Sequence, residues 1–370
     1  MKIKDICTGV TDGSHNPPQG IESSDYLMLS SKNIFDNKIT FENPRYLSEV
    51  DFELENKRTK ISAGDVLLTI VGTVGRAAVV DSNMPCFTLQ RSVAVLHPKA
   101  DICNSRYLMY ALQGKRSYIE NHAKGIAQKG IYLKEVSDID LIIPTVSVQE
   151  SIVEILDKVA SITFARQQEL QVLDNLVKAR FVEMFGGEDN PQKWNKVKLS
   201  EFCDLQNGYA FKSDDYIDMS GVLNCRMSNI RPDGGFDAEY HPKYLPEDYW
   251  DRYEQYRLID GDVIIAMTDM ASDPKILGVP TIVKSNGHRF LLNQRVGKLI
   301  FNNDKRMNRV YLMSFLSQLY VRKGLAKSAG GSAQINVGKP AVLNIEVFEP
   351  PLELQNEFEQ FVKQVDKSRL

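Results

Sequence analysis

Gly64-Asp65-Val66-Leu67-Leu68 recurs 197 residues later as Gly261-Asp262-Val263-Ile264-Ile265, and this repeat decides the fold. The other landmarks return in the same order: Gln90-Arg91 as Gln294-Arg295, Tyr107-Leu108-Met109 as Tyr311-Leu312-Met313, Ala127-Gln128 as Ala333-Gln334, and Pro144 as Pro350. The offset grows along the chain, which indicates inserted residues around Asp269 to Gly278 in the second copy. The sequence therefore predicts two similar but non-identical modules.

Length and composition are those of a two-domain globular protein. The chain has 370 residues, of which 43% are hydrophobic and 25% charged; that length accommodates two cores of ordinary size. No apolar run approaches the ~20 residues needed to span a bilayer, and the first residues lack an apolar signal core, so a cytoplasmic location is expected. The five cysteines form no Cys-x-x-Cys pair, which disfavours a disulfide framework or a zinc ribbon. Packing is expected for Cys7 and Cys203, which fall at equivalent repeat positions.

Basic residues are concentrated at one place in each copy. The whole chain carries a formal charge of −3, yet residues 104–134 hold six Lys/Arg against one acid, and residues 305–339 hold seven Lys/Arg and no acid. A solvated helix face explains one such stretch, but not its recurrence at the same repeat position. The pattern indicates that each module meets phosphates with one face.

Each copy has a β-rich part followed by a helical one. Extended apolar stretches flank each Gly-Asp turn, and the segments from Arg106 to Glu120 and from Asn308 to Leu325 have helical periodicity. The predicted fold class is α/β (α+β), with a mixed or antiparallel sheet in each module.

The clearest single element runs from Gln149 to about Phe185 without Pro or Gly. Its apolar residues follow one helix face over about five heptads, and the second copy starts the same helix after Pro350. The sequence predicts that the two helices pair as an antiparallel coiled coil, and the alternative is that each docks on its own domain. The predicted seam residues are Ile152, Ile155, Val159, Ile162, Leu170, Leu173, Leu176, Phe358, Phe361 and Val365.

A search for catalytic chemistry gives a negative answer. Asn16-Pro17-Pro18-Gln19 is similar to a base-holding motif of amino-methyltransferases, but Gln19 stands where the stacking aromatic is needed. The loop from Gly72 to Arg76 is too short to cradle a nucleotide phosphate and lacks the Gly-Lys-Ser/Thr ending. The five histidines are not spaced as metal ligands or as a triad. The chain is predicted to be non-catalytic, with neither cofactor nor metal.

The doubled module followed by Pro-x-x-x-x-Gln and a long helix resembles the DNA-specificity subunit of type I restriction-modification systems. The residues that carry the resemblance are Ile142 to Glu150, the helix through Leu173 and Phe185, and Pro350 to Gln355. The resemblance implies a target recognition domain at 1–145, a central helix at 146–187, a second target recognition domain at 188–350 and a short helix at 351–370. Each domain would read one half of a bipartite, asymmetric double-stranded DNA site.

The resemblance also implies partners. The helices would set the gap between the half-sites and dock two methyltransferase subunits. Motor-nuclease subunits would join the complex through those methyltransferase subunits. The second helix is shorter than the first, so the Ile152 end of the seam should lack a facing helix, and either a methyltransferase subunit or a second copy of this chain should cover it.

Candidate DNA contacts follow from side-chain chemistry and repeat position. Base edges are read by Arg, Asn, Gln and Ser/Thr, whereas Lys and Arg fix the register on phosphates. The base-reading candidates are Thr73, Arg76, Gln128, Arg226, Ser228, Asn229 and Gln334, and the phosphate candidates are Lys115, Arg116, Lys124, Lys129, Arg322, Lys323 and Lys327. Gln90-Arg91 and Gln294-Arg295 are ambiguous, because residues shared by modules with different targets fit a role in the fold or on the DNA backbone.

Two other classes of function compete with this reading. The chain could be the recognition part of a fused or stand-alone DNA-modifying enzyme, which the missing catalytic motifs disfavour. It could also be a scaffold that binds only proteins, which the two basic stretches disfavour.

Overall fold

A computed structural model of the chain describes residues 1–125, 129–189, 192–302 and 305–369. The chain divides into two compact units, the first comprising Met1–Arg166 and the second beginning at Gln167. Each unit contains one copy of the sequence repeat. Among the described residues, no helix has the length and apolar character that crossing a membrane requires.

The first unit begins with a short helix, continues with two groups of strands separated by one helix, and ends in helices. Its elements are α1 (Ile3–Ile6), β1 (Cys7–Asp12), β2 (Leu27–Leu29), β3 (Ile34–Phe35), β4 (Lys38–Ile39), β5 (Arg45–Tyr46), α2 (Glu49–Thr59), β6 (Val66–Thr69), β7 (Ala77–Val79), β8 (Phe87–Leu89), β9 (Val93–Pro98), α3 (Ser105–Gly114), α4 (Arg116–His122), α5 (Leu133–Ser137) and the start of α6 (Val146–Phe185). An antiparallel sheet has the strand order β1-β9-β6-β7. A second sheet, β5-β2-β8, contains a parallel pair in β2 and β8.

The second unit repeats this plan and adds to it. Its further elements are β10 (Asn195–Lys198), β11 (Cys203–Asn207), β12 (Val222–Cys225), β13 (Tyr244–Leu245), α7 (Tyr249–Arg252), β14 (Arg257–Leu258), β15 (Val263–Ala266), β16 (Thr268–Met270), β17 (Pro280–Ile282), β18 (Arg289–Leu292), β19 (Val296–Phe301), α8 (Arg309–Leu316), α9 (Leu319–Lys327), β20 (Gln334–Asn336), α10 (Lys339–Leu343), β21 (Glu346–Glu349) and α11 (Leu352–Ser368). The sheet β11-β19-β15-β17 matches β1-β9-β6-β7, and β13-β12-β18 matches β5-β2-β8 with the same parallel pair. The prediction of two similar mixed-sheet modules is confirmed.

The Gly-Asp turns at the start of the repeated segment, Gly64-Asp65 and Gly261-Asp262, precede the central strands β6 and β15. Gly64 and Gly261 adopt φ angles of +91° and +88°, a left-handed conformation that glycine enters without steric cost. The aspartate next to each glycine then accepts a backbone hydrogen bond across the turn, from Ser62 to Asp65 and from Ile259 to Asp262. The turn chemistry is therefore the same in both units.

Both copies of the repeat contain the spacing Pro-x-x-x-x-Gln, and its glutamine holds the start of a long helix in place. Gln149 is fully buried; its Oε1 accepts from the Asn104 backbone N–H at 2.8 Å, and its Nε2 donates to the carbonyls of Ile102 and Pro144. Gln355 makes the equivalent three bonds, to Asn308 N–H and to the carbonyls of Arg306 and Pro350. Each glutamine thus fastens the start of a long helix to its own unit.

The predicted long helix is present as α6, a single helix of 40 residues. Pro144 precedes it, and Gly186 at φ +82° ends it by donating to the Val182 carbonyl. Near its start α6 contacts the first unit through a face that includes the buried Val153 and through Asp157, which accepts from Arg106 and Tyr110.

The second unit contains the antiparallel helix pair. Phe181 and Phe185 of α6 pack on Phe358 of α11 with ring centroids 5.5 and 5.6 Å apart, and further along Arg369 pairs with Asp174 at 2.6 Å. Contacts that run forward along α11 run backward along α6, so the helices are antiparallel, as predicted. Val365 is buried in this pair, and Phe361 is half-buried.

Part of the predicted seam is exposed. Ile155, Val159 and Ile162 are 62%, 55% and 67% exposed. Leu176 is also exposed, whereas Ile152, Leu170 and Leu173 are half-buried. The expectation that the Ile152 end lacks a facing helix stays a prediction.

The helix predicted in each copy needs correction, whereas the predicted insertion does not. The predicted helices from Arg106 to Glu120 and from Asn308 to Leu325 are each two helices, broken at Lys115 and at 317–318. The insertion in the second copy is located correctly: the connection between β15 and β17 is longer than that between β6 and β7, and buried Asp269 orders it by accepting from the N–H groups of Ile276 and Leu277.

Candidate nucleic-acid interface

A cleft of about 320 Å³ in the first unit brings together four of the candidate residues. Its lining consists of Gly72, Thr73, Val74, Arg76, Arg116, Glu120, Ala123 and Lys129. The loop between β6 and β7 forms one wall, and α4 with the segment after it forms the other. Residues that lie far apart in sequence therefore offer a hydroxyl, two guanidinium groups and an ammonium group to one cavity.

The loop side of this cleft is rigid because its backbone is tied to a buried hydroxyl. Thr69 is fully buried; its Oγ1 donates to the Thr73 carbonyl and accepts from the Arg76 N–H at 2.9 Å. Gly72 and Gly75 adopt φ angles of +83° and +91°, and a Cβ on Gly75 would approach the Arg116 side chain to 3.1 Å. Thr73 and Arg76 are thus held at a fixed position beside α4.

The positive charges of the cleft differ in how far they are neutralised. Arg116 is paired with Asp36 at 2.8 Å and with Glu120 at 3.5 Å. Within the described ranges, neither Lys129 nor the Arg76 guanidinium has a carboxylate partner, and the guanidinium lies over the Phe35 ring, 5.0 Å from its centroid. Arg76 and Lys129 are therefore the cations most available to an anionic ligand.

The other first-unit candidates lie around this cleft or outside the description. Lys115 is exposed and lies over the Tyr118 ring. Lys124 is paired with Glu135 at 3.0 Å, and this contact lowers the pKa of the Glu135 carboxyl. Gln128 lies outside the described residues.

In the second unit the side chain of Asn229 has backbone partners. Asn229 is buried, its Oδ1 accepts from the Arg226 backbone N–H at 2.8 Å, and its Nδ2 donates to the Asp237 carbonyl. Asn33 makes the equivalent bonds, with Ser30 N–H and the Glu42 carbonyl. Asn229 therefore stabilises a turn that both units share, and its role as a base-reading residue stays a prediction.

Arg322 is likewise a structural residue. Its guanidinium donates to the carbonyls of Lys275 and Leu277, and partial burial lowers the pKa of this group. These two hydrogen bonds fasten the inserted loop of the second unit to α9, and the predicted contact of Arg322 with phosphates stays a prediction. Lys323 and Lys327 on the same helix are exposed and keep their predicted role.

The remaining second-unit candidates occupy two places. Gln334 begins β20, whose backbone pairs with β16, and its side chain is half-exposed. Arg226 lies on a second cleft, lined by Phe211, Ser213, Tyr216, Arg226, Met227, Asn293, Gln294 and Arg295. Ser228 is half-buried, and its hydroxyl has no partner among the described residues.

The sequence match pairs Gln294 and Arg295 with Gln90 and Arg91, and it leaves the role of these residues ambiguous. The backbone gives a different register: Gln90 and Asn293 donate to the last residues of β2 and β12, Leu29 and Cys225, at 2.9 and 3.1 Å. Arg91 and Gln294 then donate to Ser14 and Tyr209. The equivalent pairs are therefore Gln90 with Asn293 and Arg91 with Gln294, one residue away from the apparent sequence match.

His15 and His97 contact carboxylates, and four of the five cysteines are buried. His97 contacts Asp65 at 2.8 Å, and His15 contacts Asp12 at 2.8 Å. Burial raises the pKa of the Cys7 and Cys203 thiols to about 12, which suits packing rather than nucleophilic chemistry. In the part of the chain that is described, no group of three or more His, Cys, Asp and Glu is arranged to hold a metal ion.

Two mixed-sheet units with basic clefts, each fastened to a long helix by a buried glutamine, define a doubled DNA-recognition protein. Comparison with known families agrees: the type I restriction modification DNA specificity domain matches twice, at residues 1–174 and 191–370. The chain belongs to this family of specificity subunits, which are not catalytic themselves and act with separate methyltransferase and nuclease subunits.

Individual relatives support the same assignment. The chain is 27% identical over 337 residues to the type I restriction enzyme MjaVIII specificity subunit of Methanocaldococcus jannaschii, covering 85% of this chain and 75% of the relative. It is 25% identical over 191 residues to the EcoBI specificity subunit of Escherichia coli, covering 50% of this chain and 38% of the relative. The crystal structure of a type I S subunit from M. genitalium has a similar fold, with a TM-score of 0.50 at 13% identity, covering 100% of this chain and 89% of that one.

Proposed function

We propose that each unit reads one half of a bipartite, asymmetric site on double-stranded DNA. The observation that carries this proposal is the first-unit cleft, where the rigid Thr73–Arg76 loop faces Lys129. A fixed guanidinium can read a base edge, and a flanking ammonium group can hold a phosphate. The second unit has the same strand order and a cleft of its own that Arg226 and Arg295 line, which supports a second reader.

The helices are proposed to set the gap between the half-sites and to dock methyltransferase subunits. The exposed side chains of Ile155, Val159 and Ile162 support this role, because an apolar stripe in water favours association at about 25 cal/mol per Å². Two methyltransferase subunits per chain and motor-nuclease subunits bound through them complete the proposed assembly. A second copy of this chain, bound through the same stripe, is the competing occupant.

An exchange experiment tests the two-reader proposal. Residues 1–143 are replaced by those of a relative with another target, and the chimera is combined with the methyltransferase subunit of its own system. Sequencing of methylated sites should show a change in one half of the recognition site only. A change in both halves would mean that the units do not read independently, and methylation without a split sequence motif would refute the proposed function.

A further inference from the structure

The turn that follows the second strand of each parallel pair has one backbone and two different sets of side chains. In the first unit it is Gln90-Arg91-Ser92 after β8, and in the second it is Asn293-Gln294-Arg295 after β18. Val93 donates to the Gln90 carbonyl at 3.1 Å, and Val296 to the Asn293 carbonyl at 2.9 Å. With the bonds from Arg91 to Ser14 and from Gln294 to Tyr209, these fix the register residue by residue.

The side chains at matched positions differ in chemistry. Arg91 corresponds to Gln294, and Ser92 corresponds to Arg295. On the facing strand Ser30 corresponds to Arg226, because both donate their backbone N–H to the structural asparagine three residues later. Parallel strands end at the same edge of a sheet, so the residues that follow them lie side by side; in the first unit Ser31 N–H donates to the Ser92 hydroxyl at 3.0 Å.

In the second unit this edge is an electropositive cleft. Arg226 and Arg295 both line it, and none of its eight lining residues, all within the described ranges, is acidic. Across the described parts of the chain, neither guanidinium has an ion-pair or side-chain hydrogen-bond partner. Two guanidinium groups that line one cleft can both donate hydrogen bonds to an anionic or acceptor-rich ligand, which points to a ligand rather than to a role in the fold.

The difference between the units separates base reading from phosphate binding. Phosphates are the same along every DNA sequence, so a phosphate contact on a shared backbone has no reason to change between two readers. Bases differ, and the side chains that differ here are those that discriminate them: Arg reads guanine, Gln reads adenine, and Ser accepts either. The aromatic wall of Phe211 and Tyr216 adds an apolar surface beside the donors.

We propose that this turn, with the facing residue at 30 or 226, is a specificity-determining site in which Gln294, Arg295 and Arg226 read the second half-site and Arg91 reads the first. This inference rests on the proposed function and deepens it. Residues that looked like one repeated motif are, in the true register, different at each position, so they fit a role in discrimination rather than a shared one.

The test is selection from a random double-stranded DNA library by the full-length chain in complex with its methyltransferase subunit. The double variant Gln294→Arg with Arg295→Ser installs the first-unit side chains, and Arg226→Ser does so on the facing strand. Each should change the preferred bases in one half of the motif, with discrimination at the affected positions falling by about tenfold or more. Arg91→Gln should change the other half only.

Lys284→Ser is the matched control, since it removes an exposed cation of the same unit outside the cleft and should leave the motif unchanged. Wild-type complex that selects no two-part motif would refute the proposed function itself. A wild-type motif that the cleft variants retain, or that they weaken equally for all sequences, would overturn the inference alone. If the double variant does not fold, Arg295→Lys and Arg226→Lys keep the charge but remove the two-pronged donor, and they should relax the same half.

Discussion

Replacing Gln355 by alanine should destabilise the second unit strongly. The side chain is fully buried and makes three hydrogen bonds, from Asn308 N–H at 2.7 Å and to the carbonyls of Arg306 and Pro350 at 3.0 and 2.7 Å. Each buried backbone group left without a partner costs about 1–3 kcal/mol, and the terms are not additive. We expect Gln355→Ala to lower the free energy of unfolding by roughly 3–5 kcal/mol.

Tryptophan fluorescence provides an assay specific to this unit. The chain has two tryptophans, and both Trp194 and Trp250 belong to the second unit. Trp194 reports its core directly, because its Nε1 donates to the Phe185 carbonyl at 3.1 Å. Urea unfolding followed by this signal should shift to lower denaturant in Gln355→Ala.

Gln149→Ala is the matched control, because it removes the same three contacts from the first unit, which contains no tryptophan. It should leave the fluorescence transition in place while lowering the protection of the Asn104 amide against hydrogen exchange. If Gln355→Ala lowers the free energy of unfolding by less than about 1 kcal/mol, the three hydrogen bonds of the buried amide do not stabilise the unit as argued. Equal shifts in both variants would show that the units unfold as one.

Three further outcomes are expected. If the complex neutralises about eight to ten phosphates, its DNA affinity should fall with salt with a log-log slope of about −7 to −9, and a slope near zero in a salt titration would exclude basic faces as the contact surface. Lys323→Ala should weaken binding to all sequences about equally, whereas Gln334→Ala should cost roughly 1–3 kcal/mol at one base pair; equal losses on cognate and mismatched DNA would remove Gln334 from the readers. The isolated chain should self-associate at tens of micromolar by light scattering, and Ile155→Asp, at an exposed apolar position, should reduce this association; a wild-type monomer unchanged by Ile155→Asp would show that the stripe is already satisfied.

Local signals in the sequence were sufficient for the repeat and the long helix. Gly64 and Gly261 lie in turns that need positive φ angles. Such a turn restricts which residue type can occupy that position, whatever lies elsewhere in the fold. The apolar periodicity of α6 and the spacing from Pro144 to Gln149 are also local, since helix geometry relates neighbours three and four residues apart. These features could be predicted without knowing what lies across the fold.

Side-chain roles required the tertiary structure, because they depend on partners distant in sequence. Asn229 and Arg322 are residue types that often contact DNA. In the fold, however, Asn229 is buried in a turn and Arg322 donates to carbonyls of an inserted loop. Arg76 and Lys129 share a cleft only because β6, β7 and α4 pack together. The sequence alone determined that there are two modules and a long helix. The backbone hydrogen bonds of Asn293 and Gln294 decided which residues correspond, since register is set by pairing between strands and not by the order of residues along the chain.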